Sequence, residues 1–294
     1  MRYGVIFPQT EFGADPVAVR DYIQAVEGIG YDHLLVYDHV LGADPTNRPT
    51  WRSTYTHATP FHEPMVLFGY AAALTSRLEL VNGVLVLPQR QTALVAKQTA
   101  EVDILCDGRF RFGVGVGWND VEFQALNANF HDRGERIVEQ IALLRRLWTR
   151  PVVTFHGRWH HVEAAGINPL PRQRPIPIWM GGWDERVLQR IGEVADGWMP
   201  LRRPPEGWRA AVERVRQYAH AAGRNPAAIG VEGRTSLKGT PDDWRANVDE
   251  WRSIGATHLS LNPIGHGLKT VDEHIVAIRH WWEETAELGS SPAT

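Results

Sequence analysis

Residues 105–120 read LCDGRFRFGVGVGWND. A helical pattern over Thr92–Leu105 stops at the Asp107-Gly108 turn, and a strand follows over Phe110–Val116 with glycine on alternate positions, at 113, 115 and 117. A dinucleotide fingerprint needs a third glycine at 118 or 120, where Trp118 and Asp120 stand, so the open doubly wound reading loses its motif. Glycine on alternate residues of a strand then means close approach of a flat ligand or tight packing between barrel layers. The position at the end of a strand favours the ligand.

On both sides of this stretch the same rhythm repeats. Strand patterns lie at 3–7, 33–37, 78–87, 110–116, 176–180, 197–200, 229–234 and 257–261, and helical patterns at 17–28, 64–75, 92–105, 133–148, 185–194, 206–222, 242–254 and 272–288. Asp15-Pro16 and Thr240-Pro241-Asp242-Asp243 read as helix starts, whereas Gly28, Gly30, Gly223 and Gly255 read as stops. Eight strand-helix units in 294 residues predict an α/β fold, a (β/α)8 TIM barrel in one domain over 1–289, with a disordered tail at 290–294. Two long segments, 42–62 after the second strand and 151–175 before the fifth, are expected to cover the active face.

Composition removes several classes. Lys plus Arg total 31 against 34 Asp plus Glu, a net charge of −3, which leaves no basic footprint for nucleic acid and no run suited to an anionic membrane. No apolar stretch approaches membrane-spanning length, and the start MRYGVIFPQT lacks a signal-peptide pattern, so a cytoplasmic protein is expected. Cys106 stands alone, excluding an internal disulfide or a cysteine-built zinc site, and reads as packing.

A barrel carries its chemistry at the C-terminal ends of its strands. Those positions hold Asp38-His39, Asn82-Gly83-Val84, Val116-Gly117-Trp118-Asn119, Gly181-Gly182-Trp183 and, after the sixth strand, Arg202-Arg203. Gly181-Gly182 opens a helix whose free N–H groups suit a phosphate. Trp118, Trp183 and Trp198 could wall a flat ligand, and Trp51, in the first long loop, is a substrate-wall candidate along with Arg202. His39, Glu11 and His62 are the expected catalytic groups, each able to titrate beside an active-face loop. His156, His160 and His161 flank Gly157 in a hairpin and read as surface residues rather than as a metal site. Hydrolase elbows, zinc-protease motifs and phosphate-binding P-loops are absent.

Taken in order, Gly30-Tyr31-Asp32-His33, Asp38-His39, Glu63-Pro64, Leu85-Val86-Leu87-Pro88, Ala96-Lys97-Gln98, the 107–118 stretch, Gly181-Gly182 and Ala195-Asp196-Gly197-Trp198 resemble the luciferase-like oxidoreductases. That resemblance implies a barrel using FMN or the deazaflavin coenzyme F420, a non-prolyl cis bond at Gly83-Val84 behind the ring, His39 with Asp38 beside it, Val116–Asn119 along the ribityl chain, and Gly181, Gly182 and Trp183 at the phosphate. His131-Asp132-Arg133-Gly134 and Phe155-His156-Gly157-Arg158 resemble the F420-dependent subgroup. The expected activity is therefore F420-dependent hydride transfer to or from a small organic substrate. The alternatives are a two-component FMN monooxygenase fed by a flavin reductase, and a barrel that binds a flavin-like ligand without turnover. The family also implies a homodimer.

Overall fold

The computed structural model describes residues 1–51, 53, 55–200, 204 and 206–285; Arg202, Arg203 and the 290–294 tail lie outside them. Eight parallel strands close on themselves: β1 (Arg2–Ile6), β2 (His33–Val36), β3 (Glu79–Asn82), β5 (Phe110–Gly115), β8 (Ile178–Gly181), β9 (Gly197–Met199), β10 (Gly230–Ser236) and β11 (His258–Asn262). Closure comes from β1 pairing with β11 and β3 pairing with β5. A two-residue strand, β4 (Leu85–Val86), continues the line of β3 after the cis Gly83–Val84 bond and pairs with the upper half of β5. The remaining strands, β6 (Val153–His156) and β7 (His161–Ala165), form an antiparallel hairpin inside the second long segment.

Helices surround the barrel: α1 (Pro16–Ile29), α2 (Pro64–Leu74), α3 (Thr92–Leu105), α4 (Asp120–Ala125), α5 (Arg133–Thr149), α6 (Glu185–Val194), α7 (Trp208–Ala221), α8 (Pro241–Ser253) and α9 (Val271–Thr285). The expected starts hold. Asp15 caps Val17 N with Pro16 in the first turn, and Thr240 forms a capping box with Asp243. Gly28, expected to stop the first helix, lies inside α1; Gly30, at φ 118°, ends it instead. Helix α4 is absent from the sequence expectation, because six residues are too few to show an apolar period. Among the described residues no helix is long and apolar enough to cross a membrane.

Period-two alternation turns one face of each strand to the helices and the other into the barrel. Ile6, Leu35, Val81, Trp179 and Met199 form the apolar middle of the interior. Toward the N-terminal ends of the strands the interior is charged. There the Glu232 carboxylate accepts hydrogen bonds from Arg111, His33 (2.9 Å) and Ser260 (2.5 Å), and the Arg111 guanidinium also reaches Glu79 (3.2 Å) and lies 4.3 Å from the centre of the Trp179 ring. Burial alone would raise the Glu232 carboxyl, but Arg111 and His33 hold it well below the ordinary value of 4.5.

A depressed carboxyl stabilises the fold above its unfolded value, and that contribution disappears as pH falls through its folded value. Glu232→Gln should therefore cost about 3 kcal/mol at pH 7, because it removes the more deeply buried of the two carboxylates that face Arg111 and leaves Glu79 alone to balance it. Urea denaturation over a pH series should show the gap between wild type and variant narrowing below about pH 4.5.

Candidate active site

A cavity of about 600 Å³ opens at the C-terminal ends of the strands. Its walls come from four places: Tyr37, Asp38 and His39 after β2; Gly83, Val84 and Val86 at the break between β3 and β4; Gly115 to Trp118 at the end of β5; and Gly181 to Asp184 leading into α6. Tyr55, Arg133, Val187 and Arg234 complete it.

The glycines at 113, 115 and 117, in and just after β5, answer to packing. A Cβ at Gly113 would fall 1.9 Å from the Asn82 carbonyl oxygen, one at Gly115 2.5 Å from Val84 Cγ2, and one at Gly117 2.5 Å from Val86 Cγ1. Each would collide with the β3–β4 line, so tight barrel layers account for the pattern without a ligand, although Gly115 and Gly117 do face the cavity. Gly83 obeys the same constraint, since a methyl there would meet Leu35 Cδ2 at 2.0 Å.

Two sealed carboxylates fix the wall beside β2. Asp38, buried, accepts from Val86 N (3.0 Å) and from Arg90 Nη2 (2.6 Å), tying the end of β2 to β4. Burial raises its carboxyl above the ordinary value, with Arg90 pulling the other way. Glu122, on α4, accepts from Val40 N (2.6 Å), Leu41 N (3.2 Å) and His39 Nδ1 (3.0 Å). With Nδ1 donating to a carboxylate, Nε2 is the ring nitrogen left for the cavity, and it makes no hydrogen bond among the described residues. Phe61, Tyr55 and Trp118 enclose the imidazole at 4.9, 5.6 and 5.5 Å between ring centres. Burial pushes the Tyr55 hydroxyl upward, opposed by Arg234, so this phenol remains a donor at neutral pH.

Behind His39 lies a second chamber of about 300 Å³, formed by 40–42, Tyr55, Thr56, His57, Thr59, Phe61, Trp118 and Asn119. His39, Tyr55 and Trp118 belong to both chambers. The first long segment therefore builds a compartment on the His39 side of the main cavity.

The end of the main cavity near α6 is cationic. Asp184 caps α6 by accepting from Val187 N (3.2 Å), so one expected anion-binding donor is already satisfied. Arg133 bonds Gly117 O (3.2 Å) and Phe130 O (2.7 Å), and its guanidinium covers the Phe130 ring at 3.7 Å. Burial and the charge of Arg190 lower the Arg133 value, and burial lowers that of Arg190, with Asp184 opposing it. Neither arginine has an ion pair among the described residues, and an anion between them would relieve both.

Several expected residues lie elsewhere. Glu11 accepts from Gly265 N (2.8 Å) and faces the buried His274 at 3.2 Å, joining the loops after β1 and β11 away from the cavity. His62 packs on Phe7 at 5.7 Å and walls a separate cleft between α1 and α2. Asn82 is fully buried on the helix-facing side of β3 and does not reach the cavity. Asn119 caps α4 and donates to Leu41 O (3.2 Å), opening onto the smaller chamber only. Trp198 is fully buried and donates to Gly182 O (2.7 Å), so it supports the wall without forming it; Trp118 and Trp183 do line the cavity. Trp51 lies 5.3 Å from Trp118 and flanks the site. Arg202 falls outside the described residues. His160 is a structural pin more than a surface residue, bonding Glu139 (2.7 Å) and Thr92 (2.7 Å). Buried Cys106 has its thiol pushed up to about 11, which fits packing rather than attack. Sequence reasoning missed Glu122, Tyr55 and Arg234. For Glu122, the cap residue Asn119 followed by acidic Asp120 and Glu122 was the signal to follow.

The family model for luciferase-like monooxygenases matches residues 1–290, and the chain belongs to that family, a group of oxidoreductases. An uncharacterised Mycobacterium tuberculosis protein is 32% identical over 206 residues, covering 68% of this chain and 71% of its own. An FMNH2-dependent dimethylsulfone monooxygenase of Pseudomonas fluorescens is 32% identical over 242 residues, covering 81% of this chain and 62% of that protein. The fold matches a monooxygenase of Streptomyces bottropensis at TM-score 0.80 and 20% identity, over 99% of this chain and 100% of that one. It also matches an F420-dependent secondary alcohol dehydrogenase, solved with an F420–acetone adduct, at TM-score 0.75 and 15% identity, over 96% and 98%.

Replacing Glu122 by Ala should leave the Val40 and Leu41 amides without their acceptor and cost about 1–3 kcal/mol. Nitrogen-15 spectra of the neutral His39 ring should report the Nδ1–H tautomer in wild type and lose that preference in the variant.

Proposed function

We propose that this chain is an F420-dependent oxidoreductase that transfers hydride to or from a small organic substrate. The observation that carries the reading is His39 in the walls of two chambers, its Nδ1 held by Glu122 and its Nε2 without a hydrogen bond among the described residues. Reduction of a carbonyl, or oxidation of an alcohol, needs a group beside the reacting oxygen that can give or take a proton. His39 meets that requirement, with the Tyr55 hydroxyl as a second donor in the same walls.

The larger cavity suits a flat cofactor. Its volume falls within the range of small-molecule sites, Val84, Val86, Val116 and Val187 give it apolar surface, and its α6 end offers Arg133 and the 181–183 backbone to a phosphate. When bound, the cofactor would supply the electron pair. The protein would supply the ring-supporting wall at Gly83–Val84, the phosphate contacts and the proton at His39. Two cations near that phosphate end, Arg133 and Arg190, also suit the acidic tail of F420. A second reading, an FMN-dependent monooxygenase using reduced flavin from a reductase, is favoured by the 32% identity with the dimethylsulfone monooxygenase.

Parallel titrations with oxidised F420 and oxidised FMN, followed by quenching of tryptophan emission, discriminate them, since Trp118 and Trp183 line the cavity. Micromolar F420 binding with much weaker FMN binding is expected, and Arg133→Met should weaken it about tenfold. The opposite preference would favour the monooxygenase, and binding of neither would remove both.

The same reading includes a cytoplasmic homodimer. Helix α2 has no charged residue and is apolar on every side, yet Val66 is 74% exposed and Tyr70 41%. A helix of that character belongs against another surface. Light scattering should give twice the chain mass of 33.1 kDa, and Val66→Arg should shift the protein toward monomer.

A further inference from the structure

Strand β10 sends two charged side chains into the barrel, Glu232 and, one pleat nearer the mouth, Arg234. Their surroundings differ. Glu232 is surrounded by Arg111, His33 and Ser260, whereas Arg234 has no carboxylate partner among the described residues. The hydrogen bonds of Arg234 are long and go to neutral acceptors, Tyr37 Oη at 3.3 Å and Gly83 O at 3.4 Å. A guanidinium has five N–H donors, so most of its capacity is unused. The side chain is half-buried, where an unpaired cation is costly.

Arg234 also belongs to two spaces. It walls the main cavity and an adjoining cleft of about 680 Å³. In that cleft Lys238 brings a second positive charge, and Asn262, whose Oδ1 accepts from Ile264 N (3.1 Å), has its amide NH2 to donate. The acid there, Asp243, is engaged in capping α8, its Oδ2 accepting from Thr240 N (2.8 Å) and Thr240 Oγ1 (2.9 Å).

A fork of free N–H groups, a lysine and an amide donor make a receptor for a planar or tetrahedral oxyanion. We propose that the substrate carries a carboxylate or phosphate group, held by Arg234 and Lys238 in this cleft, while its reacting carbon lies in the main cavity within reach of His39. This rests on the oxidoreductase reading above and adds the substrate class. Such a substrate would span from the β10–α8 side to the β2 side of the mouth.

The test uses inorganic phosphate and malonate as probes, at constant ionic strength and without cofactor, read by calorimetric titration. Because Arg133 offers another cationic position, titrations are run on wild type, Arg133→Met, Arg234→Met and Lys238→Met, with circular dichroism to confirm folding. Binding should persist in Arg133→Met, weaken at least about tenfold in Arg234→Met, and weaken less in Lys238→Met. Should Arg234→Met not fold, Arg234→Lys keeps the charge without the fork and should weaken malonate binding. Three results would overturn the proposal: no anion binding to wild type, binding lost with Arg133 but not with Arg234 or Lys238, or loss of F420 and FMN binding in Arg234→Met with anion binding intact. The last would give Arg234 to the cofactor. If neither cofactor binds wild type while anion binding still depends on Arg234, the cofactor reading fails and the anion site stands.

Discussion

A carboxylate shut away from water must be surrounded by donors, and the candidate site is organised around one that is. Glu122 takes its donors from three consecutive residues, the His39 ring and the Val40 and Leu41 amides, all in the segment leaving β2. That single group fixes the direction of the loop, the tautomer of the imidazole and the position of α4. Asp38, one residue before His39, does the same on the other side by holding Val86 N and Arg90. Between them the two acids set the wall in which His39 is displayed, and neither needs to touch a substrate to matter for one.

Along the barrel axis, polarity changes in layers. Near the N-terminal ends, Glu232 and Glu79 face Arg111, with His33 bonded to Glu232; above them lie Leu35, Val81 and Met199; at the mouth the charge returns as Arg234, now without a carboxylate partner among the described residues. The apolar layer separates a structural ion cluster from a cavity open to ligands. Breaking the lower cluster harms stability, whereas the role proposed for the upper arginine is recognition of a ligand. The β5 glycines belong to the structural side of this division, since neighbouring atoms of the β3–β4 line occupy the space their side chains would need.

Strand-helix alternation made the barrel legible, because strands such as His33–Val36 are buried throughout and helix starts such as Thr240-Pro241 carry their own chemistry. Asp38, His39, Gly83, Val84, Gly117 and Gly181, picked out at strand ends, line the cavity, since barrel geometry sends those positions to one face. Side-chain direction was the harder quantity. Asn82 ends β3 and Trp198 lies in β9, but they point toward the helices or are buried beneath the wall, and Asn119 turned to cap α4. Glu11 and His62 sit on loops of the same face, yet close contacts with Gly265 and Phe7 draw them away from the cavity. Glu122 could not be tied to His39 from sequence, as 83 residues separate them and only the folded chain brings them together.

The oxidoreductase reading depends on the space bounded by Gly83–Val84, Gly115–Trp118 and Gly181–Trp183 receiving the cofactor, with His39 at its edge. Crystals of the protein soaked with F420, and separately with FMN, decide whether it does. Ring density is expected against Gly83–Val84 and phosphate density near Arg133, with His39 Nε2 facing the ring or the space beside it. Cofactor density in the α1–α2 cleft near His62, or a ring lying away from the 83–84 wall, would contradict this placement.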